Sequence, residues 1–178
     1  LFTLYRAELR GPSVKFQWLQ APAKWHLKSG WIVEKYVTNE EGDSHPVLEK
    51  QRLQLWGKFE AIIENFGSRS GVLYEIVITV APLPKEFTFF VVDYETKPIA
   101  VAGKSTIPLV PSITFQALVE SPAHAKRIYE ELEDITVTCE YRASRPLGRR
   151  VRDREAISVS RQLLIEATKA WAEDWEPN

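Results

Sequence analysis

Residues 142 to 154 carry six arginines, Arg142, Arg145, Arg149, Arg150, Arg152 and Arg154, against Asp153 alone, a local charge of +5. Guanidinium forks bind phosphate and carboxylate in a bidentate manner. Phospholipid head groups, nucleic-acid phosphates and an acidic protein all satisfy that chemistry. The Pro146-Leu147-Gly148 triplet inside the cluster reads as an exposed turn. Arg145, Arg149, Arg150 and Arg152 are therefore the candidate anion- or partner-binding residues. The competing assignment is intramolecular. Residues 120 to 134 and 166 to 178 each sum to −3, and their acids could neutralise part of the cluster.

Other residues offer weaker chemistry. Gly67-Ser68-Arg69-Ser70-Gly71 could cradle an anion on converging amides, but a nucleotide-type phosphate loop needs G-x-x-x-x-G-K-[ST] between a strand and a helix. Here both flanks look like strands, so a hairpin turn is the expectation. No G-x-S-x-G announces a nucleophile. His26, His45 and His124 have no cysteine or histidine at ligand spacing, so neither metal nor cofactor is expected. Glu130, Glu131, Glu133 and Asp134 read as the solvated face of a helix. Cys139, the single cysteine, lies on the apolar parity of its segment and is expected to be a buried, inert thiol. Trp18, Trp31 and Trp56 fall within strand patterns and are expected in the core. Trp25, Trp171 and Trp175 are the rings expected to be exposed, where a sugar or an interface would use them.

The elements that must position these residues are mostly strands. With 178 residues, 44% hydrophobic, 26% charged and a net charge of −1, the chain matches a single globular domain. That balance argues against whole-domain attraction to nucleic acid. Two-residue alternation marks strands at 14 to 20 and 31 to 37, with a polar loop from Asn39 to Pro46. Leu53, Leu55, Phe59, Ala61 and Ile63 share one parity, as one strand with a bulge at Gly57. After positive-φ glycines at 67 and 71 comes a strand over 72 to 80. Further strands are expected at 87 to 92, 99 to 102, 112 to 119, 135 to 141 and 157 to 165. One amphipathic helix interrupts them: Ser121 caps it, Pro122 opens it, and Ala125, Ile128, Tyr129 and Leu132 line one face. A short helix over Ala167 to Trp175 is also expected. No β-α-β alternation is present, so the fold class is mainly β, an antiparallel immunoglobulin-like β-sandwich with one inserted amphipathic helix.

The run from Phe59 to Ile76, with Asn65-Phe66-Gly67-Ser68-Arg69-Ser70-Gly71 between apolar strands, resembles a pattern in bacterial membrane-anchored proteins with an immunoglobulin-like sandwich. That resemblance implies one or a few N-terminal membrane helices before the sandwich and no catalytic residues. The sequence begins at Leu1 and contains no methionine, which reads as a piece of a longer protein. Leu1 to Tyr5, followed by Arg6, Arg10 and Lys15, reads as the end of a membrane helix with a basic cytoplasmic flank. The expected organisation is a flank at 1–12, a sandwich at 13–166 and a tail at 167–178. The expected function is a non-enzymatic binding or sensing module, membrane-associated with its soluble domain on the cytoplasmic side. Its expected partner is a protein or an anionic membrane surface, ahead of nucleic acid. The alternative is a carbohydrate-binding module or part of a sugar-active enzyme.

Overall fold

A computed structural model describes residues 11–92 and 97–173. The proposed membrane flank from Leu1 to Tyr5, with Arg6 and Arg10, lies outside them. Among these described residues, eleven strands and two α-helices follow in order: β1 (Val14–Gln20), β2 (His26–Thr38), β3 (Ser44–Lys58), β4 (Glu60–Asn65), β5 (Gly71–Ala81), β6 (Phe87–Val92), β7 (Ile99–Val101), β8 (Thr106–Leu109), β9 (Ser112–Val119), α1 (Pro122–Glu131), β10 (Ile135–Ser144), β11 (Arg150–Val159) and α2 (Arg161–Glu173).

All strand pairs are antiparallel, in three sheets ordered β1-β4-β8, β11-β10-β5-β7 and β2-β3-β9-β6. The first two face each other as an immunoglobulin-like sandwich. Val14, Phe16 and Ile63 from one side meet Leu73, Val101, Cys139 and Tyr141 from the other, all buried. The third sheet continues the first, because β3 passes into β4 at Phe59 and β8 into β9 through Val110 and Pro111. Phe59 N–H donates to Pro111 O at 2.9 Å. Its ring, fully buried, meets Trp18 at 5.4 Å and Trp25 at 6.1 Å. The two helices pack on each other, α1 also against β9 and α2 against β2 and β3, and Ile128, Leu132 and Leu164 join the same core.

Several elements depart from the sequence expectation. The single strand expected around Gly57 is two strands bent at Phe59; Gly57 is regularly paired with Ile113, and a Cβ there would strike Pro22. The Asn65 to Gly71 segment links β4 and β5 in different sheets, so it is not a hairpin turn. Gly67 and Gly71 are not at positive φ. They are required by close approach, since a Cβ on Gly67 would run into the Gly11 carbonyl and one on Gly71 into Val14 and Pro12. The polar loop shrinks to residues 39–43, where Asn39 Oδ1 accepts from Glu41 N and Asp43 N and Gly42 takes φ 90°. β2 begins at His26 and so absorbs Gly30, while Pro108 sits inside β8, a short strand that the prolines concealed. β11 ends at Val159. Leu163 and Ile165 belong to α2, which runs across the expected boundary at 166.

Asn65 ties these parts together. Its buried side chain accepts from Ser13 N and Gly67 N, both at 3.0 Å, and donates to Arg69 O at 2.8 Å and Val101 O at 3.0 Å. Replacing Asn65 by Ala strands those four backbone groups. The expected loss is about 3 kcal/mol in urea unfolding. Asn65→Asp should recover little of it, because a carboxylate oxygen would face two carbonyls.

Candidate functional site

The arginine cluster is not a long connection. It is the distal half of the β10–β11 hairpin, whose register runs unbroken from Ile135 opposite Val159 to Ser144 opposite Arg150. Directly opposed residues share a face. On β10, Ile135, Val137, Cys139, Tyr141 and Ala143 are buried, so the opposed residues of β11, Val159, Ile157, Glu155, Asp153 and Val151, turn inward or line the rim. Arg150, Arg152 and Arg154 stand on the outer face with Glu140 and Arg142. The turn at 145–149 is closed by Arg145 N–H donating to Arg149 O at 2.9 Å, with Leu147 and Gly148 both left-handed at φ 65° and 69°.

The four arginines expected to act as one patch are thereby separated. Arg145 goes to the rim of the core, where its guanidinium meets Asp153 Oδ2 at 3.0 Å and Ser13 Oγ at 3.5 Å. Arg149 is exposed at the turn. Arg150 lies over the Tyr74 ring, 4.7 Å from its centroid, and Arg152 pairs with Glu140. Two further arginines belong to this face: Arg142, 3.2 Å from Glu75, and Arg154, whose side chain has no ion pair among the described residues. The parity of 150, 152 and 154 set against 140 and 142 carried that signal. The acids of 120 to 134 do not neutralise the cluster among the described residues. Glu120 pairs with Lys50 at 3.5 Å, and Asp134 Oδ1 accepts from Arg161 N at 2.7 Å, capping α2.

The face is shaped by a bulge. Between Val77, opposite Glu140, and Tyr74, opposite Arg142, β5 carries one extra residue. Glu75 there takes φ 42°, a left-handed conformation unfavourable for a side chain. This aims its carboxylate at Arg142. A shallow depression of about 100 Å³ results, lined by Glu75, Val77, Glu140, Arg142 and Arg152 above Tyr141.

The remaining candidates resolve differently. In Gly67-Ser68-Arg69-Ser70-Gly71 the Gly67 amide is donated to Asn65 Oδ1 and the Arg69 carbonyl accepts from Asn65 Nδ2, so this turn braces the fold. Trp25 is buried at 3% exposure, stacked on Phe115 at 5.0 Å, so it offers no surface to a sugar. The side chain of Trp171 and all of Trp175 lie outside the described residues, as does the side chain of Trp31. Trp56, expected in the core, is on the outer parity of β3 and half-buried, stacked on His26 at 4.4 Å. Among the described residues no three His, Cys, Asp or Glu side chains converge as a metal site, and no helix is long and apolar enough to cross a membrane.

Comparison with known proteins adds little. No protein-family model matches the chain, and no curated protein does. Among solved structures it is similar to a FixG-related protein from Vibrio parahaemolyticus, at 8% identity and TM-score 0.33, covering 76% of this chain and 94% of that one. It is also similar to the GAE domain of GGA2p from Saccharomyces cerevisiae, at 9% identity and TM-score 0.32, covering 84% and 98%. Scores this low carry no argument about function.

Beneath the arginine face the core holds two ionisable groups in their neutral forms. Burial, with the charge of Glu155 adding, pushes the Cys139 thiol up from 9.0 to about 12. Burial, with Asp153 and Glu155 adding, raises Tyr141 from 10.0 to about 12, and its hydroxyl donates to Phe16 O at 3.4 Å. Folded values above unfolded ones mean stability that is complete below the unfolded pKa and lost as pH rises through the folded one. The melting temperature should therefore fall between about pH 9 and 12. Cys139 should resist thiol reagents near neutral pH until the chain unfolds. Alkylation of the native protein would place the thiol outside the core.

Proposed function

We propose that the protein is a non-enzymatic binding module, displayed at a membrane surface, that takes an anionic partner on the outer face of β5, β10 and β11. The observation that carries this reading is the placement of Arg142, Arg150, Arg152 and Arg154 on one exposed sheet face whose opposite side is the core. Among the described residues only Glu75 and Glu140 answer them in ion pairs. Exposed pairs contribute about 0–1 kcal/mol each, so a partner's carboxylate or phosphate can replace them at small cost. Membrane display is supported by the apolar Leu1 to Tyr5 and the basic residues that follow. A protein partner is favoured over a uniformly anionic surface because Glu75 and Glu140 interleave the arginines.

An Arg150→Glu, Arg154→Glu variant should keep its cooperative melt and lose at least about tenfold in affinity for an acidic protein ligand such as polyglutamate. Binding by the wild type should weaken as salt is raised. Unchanged binding in the variant would remove the arginines from the ligand surface. An apolar span encoded upstream of Leu1 is the expected genetic finding, and its absence would remove the membrane element alone.

A further inference from the structure

Among the described residues β11 is the last strand of its sheet, and the direction of its backbone groups can be assigned. Hydrogen-bonded and non-hydrogen-bonded pairs alternate along an antiparallel ladder. The Arg145 N–H to Arg149 O bond at 2.9 Å makes that the first bonded pair of the hairpin. The bonded pairs that follow are Ala143 with Val151, Tyr141 with Asp153 and Cys139 with Glu155. The N–H and C=O groups of Arg150, Arg152 and Arg154 consequently point away from β10, toward the free edge. Arg154 N–H accords with this, donating to the Asp153 carboxylate at 2.9 Å and not to β10.

Arg150 and Arg152 thus offer an open N–H and C=O, and Arg154 an open C=O, on the three residues whose guanidinium groups stand on the outer face. Edge strands pair with extended segments through these backbone groups, and alternate side chains of the incoming strand select it. A strand laid against this edge places every second residue directly opposite Arg150, Arg152 and Arg154 on that face. Carboxylates fit those positions. Among the described residues Arg154 has no ion pair and Arg150 none either, its guanidinium lying over the Tyr74 ring. A neutral segment would leave these charges unanswered, and a second copy of β11 would bring arginines against arginines.

From this we infer that the free edge of β11 binds an extended acidic peptide segment as an added strand, with acidic residues at alternate positions opposite Arg150, Arg152 and Arg154. The inference rests on the arginine face being the ligand surface, and it names the partner and its mode of binding.

The test uses the full chain and three synthetic peptides of one composition: Glu alternating with Thr and Val, the same residues with Glu consecutive, and the alternating peptide N-methylated on the amides that would face β11. The alternating peptide should bind at least about tenfold tighter than either other peptide and slow amide exchange at Arg150 and Arg152. Ala156→Pro deletes one outward N–H while leaving the β10 ladder intact, and should weaken that peptide alone, with an unchanged melting curve as the folding control. Equal binding of all three peptides, abolished by Arg150→Glu with Arg154→Glu, overturns strand addition and leaves the arginine face standing. Binding to phosphatidylserine vesicles with no peptide bound overturns it in favour of a lipid surface. Binding to neither removes both readings.

Discussion

The side-chain amide of Asn65 is the constraint on which the sandwich depends. A primary amide offers two acceptor lone pairs and two donors from one planar group, and here all four meet main-chain atoms of three segments: the entry to β1, the turn after β4 at Gly67 and Arg69, and the end of β7. The segments can converge only because the chain is glycine where they touch. A Cβ on Gly67, Gly71 or Gly103 would overlap Gly11, Val14 or Ser68 respectively. The same clasp fixes the base of the hairpin turn, since Ser144 Oγ accepts from Val72 N at 3.0 Å and Arg145 reaches Ser13. The loop after β4 is thus used in holding the fold.

β10 and β11 work on both sides because strand side chains alternate. The inward set carries Cys139 and Tyr141, whose neutral forms burial enforces. Its polar members on β11 are answered at the rim: Lys15 Nζ lies 2.9 Å from Glu155, which holds the lysine above its ordinary value, and Arg145 meets Asp153. The outward set carries the arginines. Inner pairing therefore anchors the hairpin to β1, while outer pairing, at side chains such as Arg142 and Glu75 that are 52% and 63% exposed, remains exchangeable with solvent and partner.

Much of this was legible in the sequence. Strong alternation located β1 and the start of β10, and Ser121-Pro122 located α1, whose cap is seen in Ser121 Oγ accepting from His124 N at 3.1 Å. What was hidden had physical causes. Parity continues unbroken through Phe59, so the passage of one strand from sheet to sheet leaves no local mark. Leu163 and Ile165 extend the β11 alternation by coincidence, and Ser160, whose Oγ accepts from Gln162 N, was the missed cap. The arginines read as a loop because charge on both parities masks alternation where inner residues are rim acids such as Asp153 and Glu155. Trp25 looked exposed beside Lys24 and His26, yet tertiary stacking on Phe115 overrode that neighbourhood.

A regular ten-residue strand at a sheet edge is a hazard, and proteins ordinarily blunt such edges with bulges, prolines or inward charges. Here the bulge is on β5 and β11 has none against β10, so its edge stays straight and its spacing intact. Charge is the guard that remains, and a guard made of charge discriminates by sign. It disfavours neutral strands and further copies of β11, while the same guanidinium groups are the attractive element for an acidic one. Under the proposed strand addition, protection from aggregation and selection of a partner would follow from a single row of side chains, and the left-handed Glu75 would set a carboxylate among the arginines that an incoming acid displaces.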